Sequence, residues 1–262
     1  MIRAKKSLGQ NFLVDHNTIL KIIDTTQINE KEILEVGPGT GNLTNEILKK
    51  NPKKVYLVEK DNELSNKLKE KFGDQVTIFN EDILDLNEKS LSEEKLIVFG
   101  NLPYNISTEI LCNWIVKLTD NHFWFSELIL MFQKEVADRI ISNFNSSYYG
   151  RLAILSNWKL NVKKICDISP NCFSPKPKVI STVLYLEPNK RIYGRIKNIK
   201  NLEKITQIFF SNKRKMINKS IKKIFKSDKQ TNLLKDINIR SRPSDLTPEN
   251  FYDITRLFES CL

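Results

Sequence analysis

The chain has 262 residues, 42 Lys and Arg against 31 Asp and Glu, a net charge of +11 and 40% hydrophobic residues. That length supports one sizeable core plus a small second unit, and no apolar run approaches the roughly 20 residues that span a bilayer. Two histidines, His16 and His122, and four cysteines at 112, 166, 172 and 261, none in a CxxC pair or beside a histidine, leave zinc and histidine-triad chemistry little material.

The thiols read as free in a reducing compartment. No long apolar segment follows the basic Met1–Lys6 stretch, so no signal peptide is read and the cytoplasm is the expected location.

In chain order, Ile19, Ile22 and Ile23 share one face of a short helix opening near Asp15. Ile33–Val36 reads as a strand entering the turn Gly37-Pro38-Gly39-Thr40-Gly41. Residues 42–50 read as a helix with Leu43, Ile47 and Leu48 inward, and Val55–Val58 as a second strand ending at Glu59. Asp61 is placed to cap the next helix, with Leu64 and Leu68 on its buried face. Val76–Phe79 is a third strand followed by Glu81-Asp82, Leu96–Phe99 a fourth followed by Asn101, and Leu128–Phe132 a fifth. Val179–Leu186 reads as another strand. Pro188-Asn189 then marks a boundary between an α/β domain, residues 1–188, and a helical domain, residues 189–262. Ile205, Ile208 and Phe209 share a helical face there, as do Met216, Ile217, Ser220, Ile221 and Ile224. Arg242-Pro243 interrupts, and Thr247-Pro248-Glu249 opens a final helix.

Strands alternating with helices predict a Rossmann-like α/β fold with a parallel sheet covered on both faces. Gly37, Glu59, Asp82 and Asn101 all follow strand ends, where open parallel sheets bind ligands. Charge divides the same way as the elements. Residues 1–188 carry 24 basic and 24 acidic side chains, and residues 189–262 carry 18 and 7. Such a basic appendage suits a polyanion; the plainer alternative is a solvated Lys-rich helical surface.

The glycine turn lets backbone amides approach a ligand closely. Its spacing is GxGxG with Asn42 next, not the dinucleotide GxGxxG. S-adenosylmethionine has a ribose and no pyrophosphate, which fits this turn better than NAD. Glu59 is placed to accept from both ribose hydroxyls and Asp82 from an adenine amine, with solvated strand-end carboxylates as the alternative. Glu35 reads as a residue that orients loop backbone.

Asn101-Leu102-Pro103-Tyr104 reads as a pocket for the exocyclic amine of a base. That nitrogen's lone pair is delocalised into the ring. Two acceptors, the Asn101 side-chain oxygen and the Leu102 carbonyl, would hold its hydrogens and favour a pyramidal nitrogen. Pro103 stiffens the turn and Tyr104 offers a stacking face. Phe173, in a loop held extended by Pro175 and Pro177, is the candidate for the opposite face, and Lys176 and Lys178 suit phosphates. For both aromatics the alternative is ordinary packing. Methyl transfer from a sulfonium needs placement rather than a strong base, and alignment alone supplies on the order of 7–11 kcal/mol. The base must be unpaired or flipped out.

These motifs, with Ser7-Leu8-Gly9-Gln10-Asn11-Phe12-Leu13, Glu35–Gly41, Gly100–Thr108, Gln133–Arg139 and Phe173–Val179, make the chain resemble the ribosomal RNA adenine dimethyltransferase family, in particular its bacterial small-subunit (16S) branch. The resemblance runs nearly end to end. It implies cofactor contacts at Asn11, Leu13, Gly37, Glu59, Asp82 and Asn101, alongside Gly39 and Gly41 of the turn. It gives the opening segment a role in covering the cofactor. It implies four methyl transfers, two onto each of two adjacent adenosines in a hairpin near the rRNA 3′ end. It also implies a monomer, no membrane partner, and a helical C-terminal domain that docks on the small subunit, which the basic helix expected at Asn212-Lys213-Arg214-Lys215 fits. Asn80-Glu81-Asp82 departs from the family, where a glycine commonly precedes the aspartate by one. Rival readings are a large-subunit rRNA methyltransferase, a non-catalytic assembly factor and an NAD dehydrogenase.

Overall fold

The structure is a computed structural model that describes residues 4–5, 8–118, 123–189, 196–225, 234 and 237–262. Ser7 and His122, singled out above, lie outside the described residues, as do Met1–Arg3. The chain forms two compact units, Met1–Ala137 with Val162–Pro188, and Asp138–Asn161 with Asn189–Leu262. The passage at 188 was legible in the sequence. The membership of residues 138–161 in the second unit was not.

The first unit is built on a seven-stranded sheet in the order β4-β3-β2-β5-β6-β9-β7. Its strands are β2 (Glu32–Val36), β3 (Lys54–Val58), β4 (Thr77–Phe79), β5 (Leu96–Asn101), β6 (Phe125–Gln133), β7 (Leu160–Ile168) and β9 (Ser181–Pro188). A separate antiparallel pair joins β1 (Phe12–Leu13) to β8 (Phe173–Ser174). The run from β4 to β6 is parallel and β9 is antiparallel to β6. Ile33, Leu34, Leu57, Val98 and Phe99 are wholly buried, as central strands of a parallel sheet covered on both faces require.

Register sets where the site falls. Val36 lies opposite both Val58 and Gly100, and Val58 opposite Phe79. The strand ends are therefore level, and Gly37, Glu59, Asn80 and Asn101 leave the sheet along one edge. From β2 the chain runs outward through β3 and β4, then returns to add β5 and β6 on the other side. That reversal makes the β2/β5 gap the topological switch point.

Three helices follow β1, β2 and β3 in turn. These are α1 (His16–Ile23), capped by Asp15, whose carboxylate accepts from the Thr18 N–H; α2 (Asn42–Leu48); and α3 (Asn62–Phe72). Helix α3 is set by its ends and one face. Asp61 accepts from the Glu63 N–H, Leu64, Leu68 and Phe72 point inward at four-residue spacing, and Gly73 ends it at φ 53°. Burying each of those side chains contributes about 1.5–3 kcal/mol.

The second unit is largely helical, but residues 212–215, expected as a basic helix, form a turn between two helices. It contains α6 (Arg151–Lys159), α7 (Ile199–Phe210), α8 (Asn218–Ile224) and α9 (Pro248–Ser260), with α4 (Ser107–Lys117) and α5 (Lys134–Ile140) earlier in the chain. Phe209 of α7 meets Phe251 of α9 edge to face at 5.4 Å, and the Tyr252 hydroxyl donates to the Ile154 carbonyl at 2.9 Å. The Glu259 carboxylate accepts the backbone N–H groups of Lys197 and Asn198 at 2.7 and 2.8 Å, completing the start of α7. Among the described residues, no helix is long and apolar enough to cross a membrane.

Candidate active site

A cavity of about 330 Å³ opens at the level strand ends of the first unit. One wall is the turn after β2. Gly37 and Gly39 have φ of 69° and 58°, and a Cβ on Gly39 would sit 2.7 Å from the Phe12 ring. Only glycine fits where the turn and the opening segment approach this closely.

Glu59 ends β3 and is buried. Its Oε2 accepts the Gly39 N–H at 3.2 Å and its Oε1 the Asp61 N–H at 2.9 Å. Burial pushes its carboxyl above the ordinary range, against the pull of those two amides. Asp82, beyond β4, is half-buried. Burial raises its carboxyl, but the Lys60 ammonium at 2.6 Å and the Leu84 N–H at 3.0 Å outweigh that and hold it below its usual range. It is thus an ionised acceptor on the cavity wall. Asn80 bridges the two strand ends by donating to the Glu59 carbonyl at 2.9 Å.

Asn101, at the end of β5, donates its amide to the Asn11 carbonyl at 2.8 Å. That bond fixes the amide's orientation and leaves Oδ1 as its acceptor end. Leu102 is buried, and Gly100 is hemmed in by Leu102 and Leu130, so the backbone of the motif cannot shift easily. The Tyr104 hydroxyl is hydrogen-bonded to the Ser181 hydroxyl at the start of β9. Burial raises the Tyr104 phenol's pKa, against the Ser181 bond.

Of the residues singled out in the sequence, Asn11, Gly37, Gly39, Glu59, Asp82, Asn101, Leu102, Pro103 and Tyr104 line this one cavity. Leu13 does not. It lines a smaller neighbouring cavity, and its carbonyl accepts from the Asn42 side chain at 2.8 Å. Gly41 lines neither; it opens α2 at φ 73°, where a Cβ would meet Phe72 at 2.6 Å. Phe173 is 2% exposed, pairs with Leu13 across β1–β8 and belongs to the hydrophobic core. It is not brought to the cavity, because its alternation in β8 turns the ring inward. Glu35 accepts from the Thr44 hydroxyl at 2.6 Å rather than from loop backbone, and burial pushes its carboxyl up to about 7.

The sequence did not flag Phe12, Lys60, Leu64 and Asn105, which also line the cavity. Lys60 carried a usable signal, since it lies between Glu59 and Asp61 at the end of a strand. Among the described residues no cluster of His, Cys, Asp and Glu could hold a metal ion.

The family model for "Ribosomal RNA adenine dimethylase" matches residues 1–260. The chain belongs to the ribosomal RNA adenine dimethylase family. Within this family, "Ribosomal RNA small subunit methyltransferase A" of Pelagibacter ubique (strain HTCC1062) is 54% identical over 258 residues, covering 98% of each chain. The same-named protein of Rhizobium etli (strain CIAT 652) is 39% identical, over 84% of this chain and 80% of its own. Among solved structures, a dimethyladenosine transferase from Plasmodium falciparum superposes with a TM-score of 0.77 at 24% identity, over 95% of this chain and 98% of its own. The 23S rRNA methyltransferase ErmE superposes with a TM-score of 0.70 at 22% identity, over 95% and 100%. These two likenesses carry the Rossmann-like α/β fold.

Proposed function

We propose that this ribosomal RNA adenine dimethylase uses S-adenosylmethionine to dimethylate the N6 amines of two adjacent adenosines in the hairpin near the 3′ end of small-subunit (16S) rRNA. The supporting observation is the convergence of Gly39, Glu59, Asp82 and Asn101 on one cavity. The relatives named for the small subunit favour it over the large one. We take the chain to act as a cytoplasmic monomer.

The residues present fit the cofactor. Glu59, buried with both oxygens accepting N–H groups, has the remaining lone pairs to accept two ribose hydroxyls. Asp82, ionised on the wall, accepts an adenine amine. The Gly37–Gly39 turn gives the ligand close backbone approach, and Asn11, bonded to Asn101, lines the same cavity. When bound, S-adenosylmethionine supplies an electrophilic methyl group on a sulfonium.

The chain's own part is placement. Asn101 Oδ1 and the Leu102 carbonyl accept the two amine hydrogens, which directs the nitrogen lone pair out of the base plane. Tyr104, anchored through its hydroxyl, presents a fixed ring for the base to stack on. Buried Phe173 does not serve as the second face in this conformation, and only opening of the β1–β8 pair would bring it there. The basic second unit supplies phosphate contacts.

The test incubates purified small and large ribosomal subunits, from a strain lacking the enzyme, with the chain and labelled cofactor. Mass spectrometry of rRNA fragments should place two neighbouring dimethyladenosines near the small-subunit 3′ end. Label in large-subunit rRNA, or in neither, would reject the proposal.

A further inference from the structure

Residues Leu8 to Phe12 form a strap that walls the cavity. At its far end the strap is held by the β1–β8 pair and by Asn101. Among the described residues, the side chains of its near end are held by one carboxylate. The Lys5 ammonium donates to Asp61 Oδ1 at 2.8 Å, and the Gln10 amide to Asp61 Oδ2 at 2.9 Å. The Gln10 amide is oriented from behind, since its Oε1 accepts the Lys5 backbone N–H at 2.7 Å. Lys5 and Gln10 thus bring both side chains to one acceptor.

Asp61 is 4% exposed. Burial pushes its carboxyl up, but Lys5, Gln10 and the Glu63 N–H together hold it below the usual range. A helix cap alone does not need this arrangement. Capping α3 uses one oxygen, Oδ1, on the Glu63 N–H at 3.0 Å, and a serine hydroxyl would serve as well. The second oxygen and the charge are committed to the strap. The same residue's N–H holds Glu59 Oε1 at 2.9 Å, so strap and ribose-facing carboxylate share one anchor.

We infer that Asp61 latches the N-terminal strap over the cavity and is a positioning residue for the ligand held there. It does not touch the reacting atoms. The inference rests on the cofactor reading above for the identity of that ligand, and not for the latch itself.

Asp61→Ser separates the two roles, because serine keeps the cap and cannot reach the strap. Two measurements on the full chain decide. Hydrogen exchange in the ligand-free protein should rise over residues 8–12 and stay unchanged over α3. Titration with S-adenosylmethionine should show roughly tenfold weaker binding, the order expected for losing charge-assisted bonds. Adding Lys5→Ala to Asp61→Ser should weaken binding no further, since the Lys5 side chain acts through the same contact and does not line the cavity. Unchanged strap exchange overturns the latch, and so does raised exchange in α3 alone. Raised strap exchange with unaltered cofactor affinity overturns the positioning role. Failure of the parent chain to bind S-adenosylmethionine would sink the cofactor reading, while the exchange experiment still decides the latch.

Discussion

The amide of Asn101 and the carbonyl of Asn11 are bonded at 2.8 Å across 90 residues of sequence. The end of β5 and the segment over the cavity are therefore one mechanical piece. Asn101→Ala removes both this tie and the proposed amine acceptor. Its kcat should fall by roughly a hundredfold to a thousandfold, the usual range for losing one oriented hydrogen-bonding group at a reacting centre. Methyl transfer to small subunits measures this. Turnover near the parent value would show that Asn101 does not hold the amine.

Asp82→Ala should raise the KM for S-adenosylmethionine by roughly tenfold to a hundredfold, since a charged acceptor contributes about 1.5–3 kcal/mol. The kcat should change little, because Asp82 sits at the β4 end of the site, away from the amine pocket. A drop in kcat with KM unaltered would contradict the adenine-amine assignment.

Gly41→Ala tests a helix-opening glycine against those that line the cavity. An alanine there meets left-handed backbone at φ 73° and the Phe72 ring at 2.6 Å. Together these should cost roughly 2–4 kcal/mol of stability, read from urea unfolding. Gly39→Ala should instead act on cofactor affinity by displacing Phe12.

Glu35 gives a pH signature. Burial raises its carboxyl from an ordinary 4.5 to about 7, so the folded state holds a proton that the unfolded state releases. Its contribution is full below about pH 4.5 and is lost as pH rises toward 7, a change of roughly 3 kcal/mol. Glu59 is shifted in the same direction by burial. Glu35→Gln keeps an acceptor for Thr44 and should flatten the fall in stability across that window. An unaltered slope in denaturation curves from pH 4.5 to 7 would rule this out.

Salt dependence tests the second unit as the RNA anchor. Arg214 and Arg242 line a cavity of about 300 Å³, and among the described residues neither makes an ion pair. Lys213, by contrast, is committed to the carbonyls of Ser147 and Tyr149 at 2.7 and 2.8 Å. Replacing both arginines with alanine should lower the slope of log affinity against log salt by about 1.4, at 0.7 per phosphate contact with single strands. The Lys213→Ala chain should also loosen the loop it holds.

The parallel sheet and the edge that carries the cavity were legible because apolar strand runs end in Gly37, Glu59, Asp82 and Asn101, one after another. Helix α6 was not, since Leu152, Ala153, Ile154, Leu155 and Trp158 are all buried, which erases the one-sided period that marks a helix. Helix α4 lacks a side-chain cap at Ile106, and β7 is too polar to read as a strand. The strand read from Val179 begins at Ser181, with Val179 and Ile180 exposed before it. Phe173 was misplaced because a motif gives a residue's neighbours in sequence and not the side to which an extended backbone turns its ring.

Because residues 138–161 belong with the second unit while β7 and β9 return to the first, a ribosome making this chain releases the two cores in alternation. The sheet can accept its last strands only after part of the helical unit has already emerged. Neither half can be transplanted into another enzyme as one uninterrupted stretch of gene.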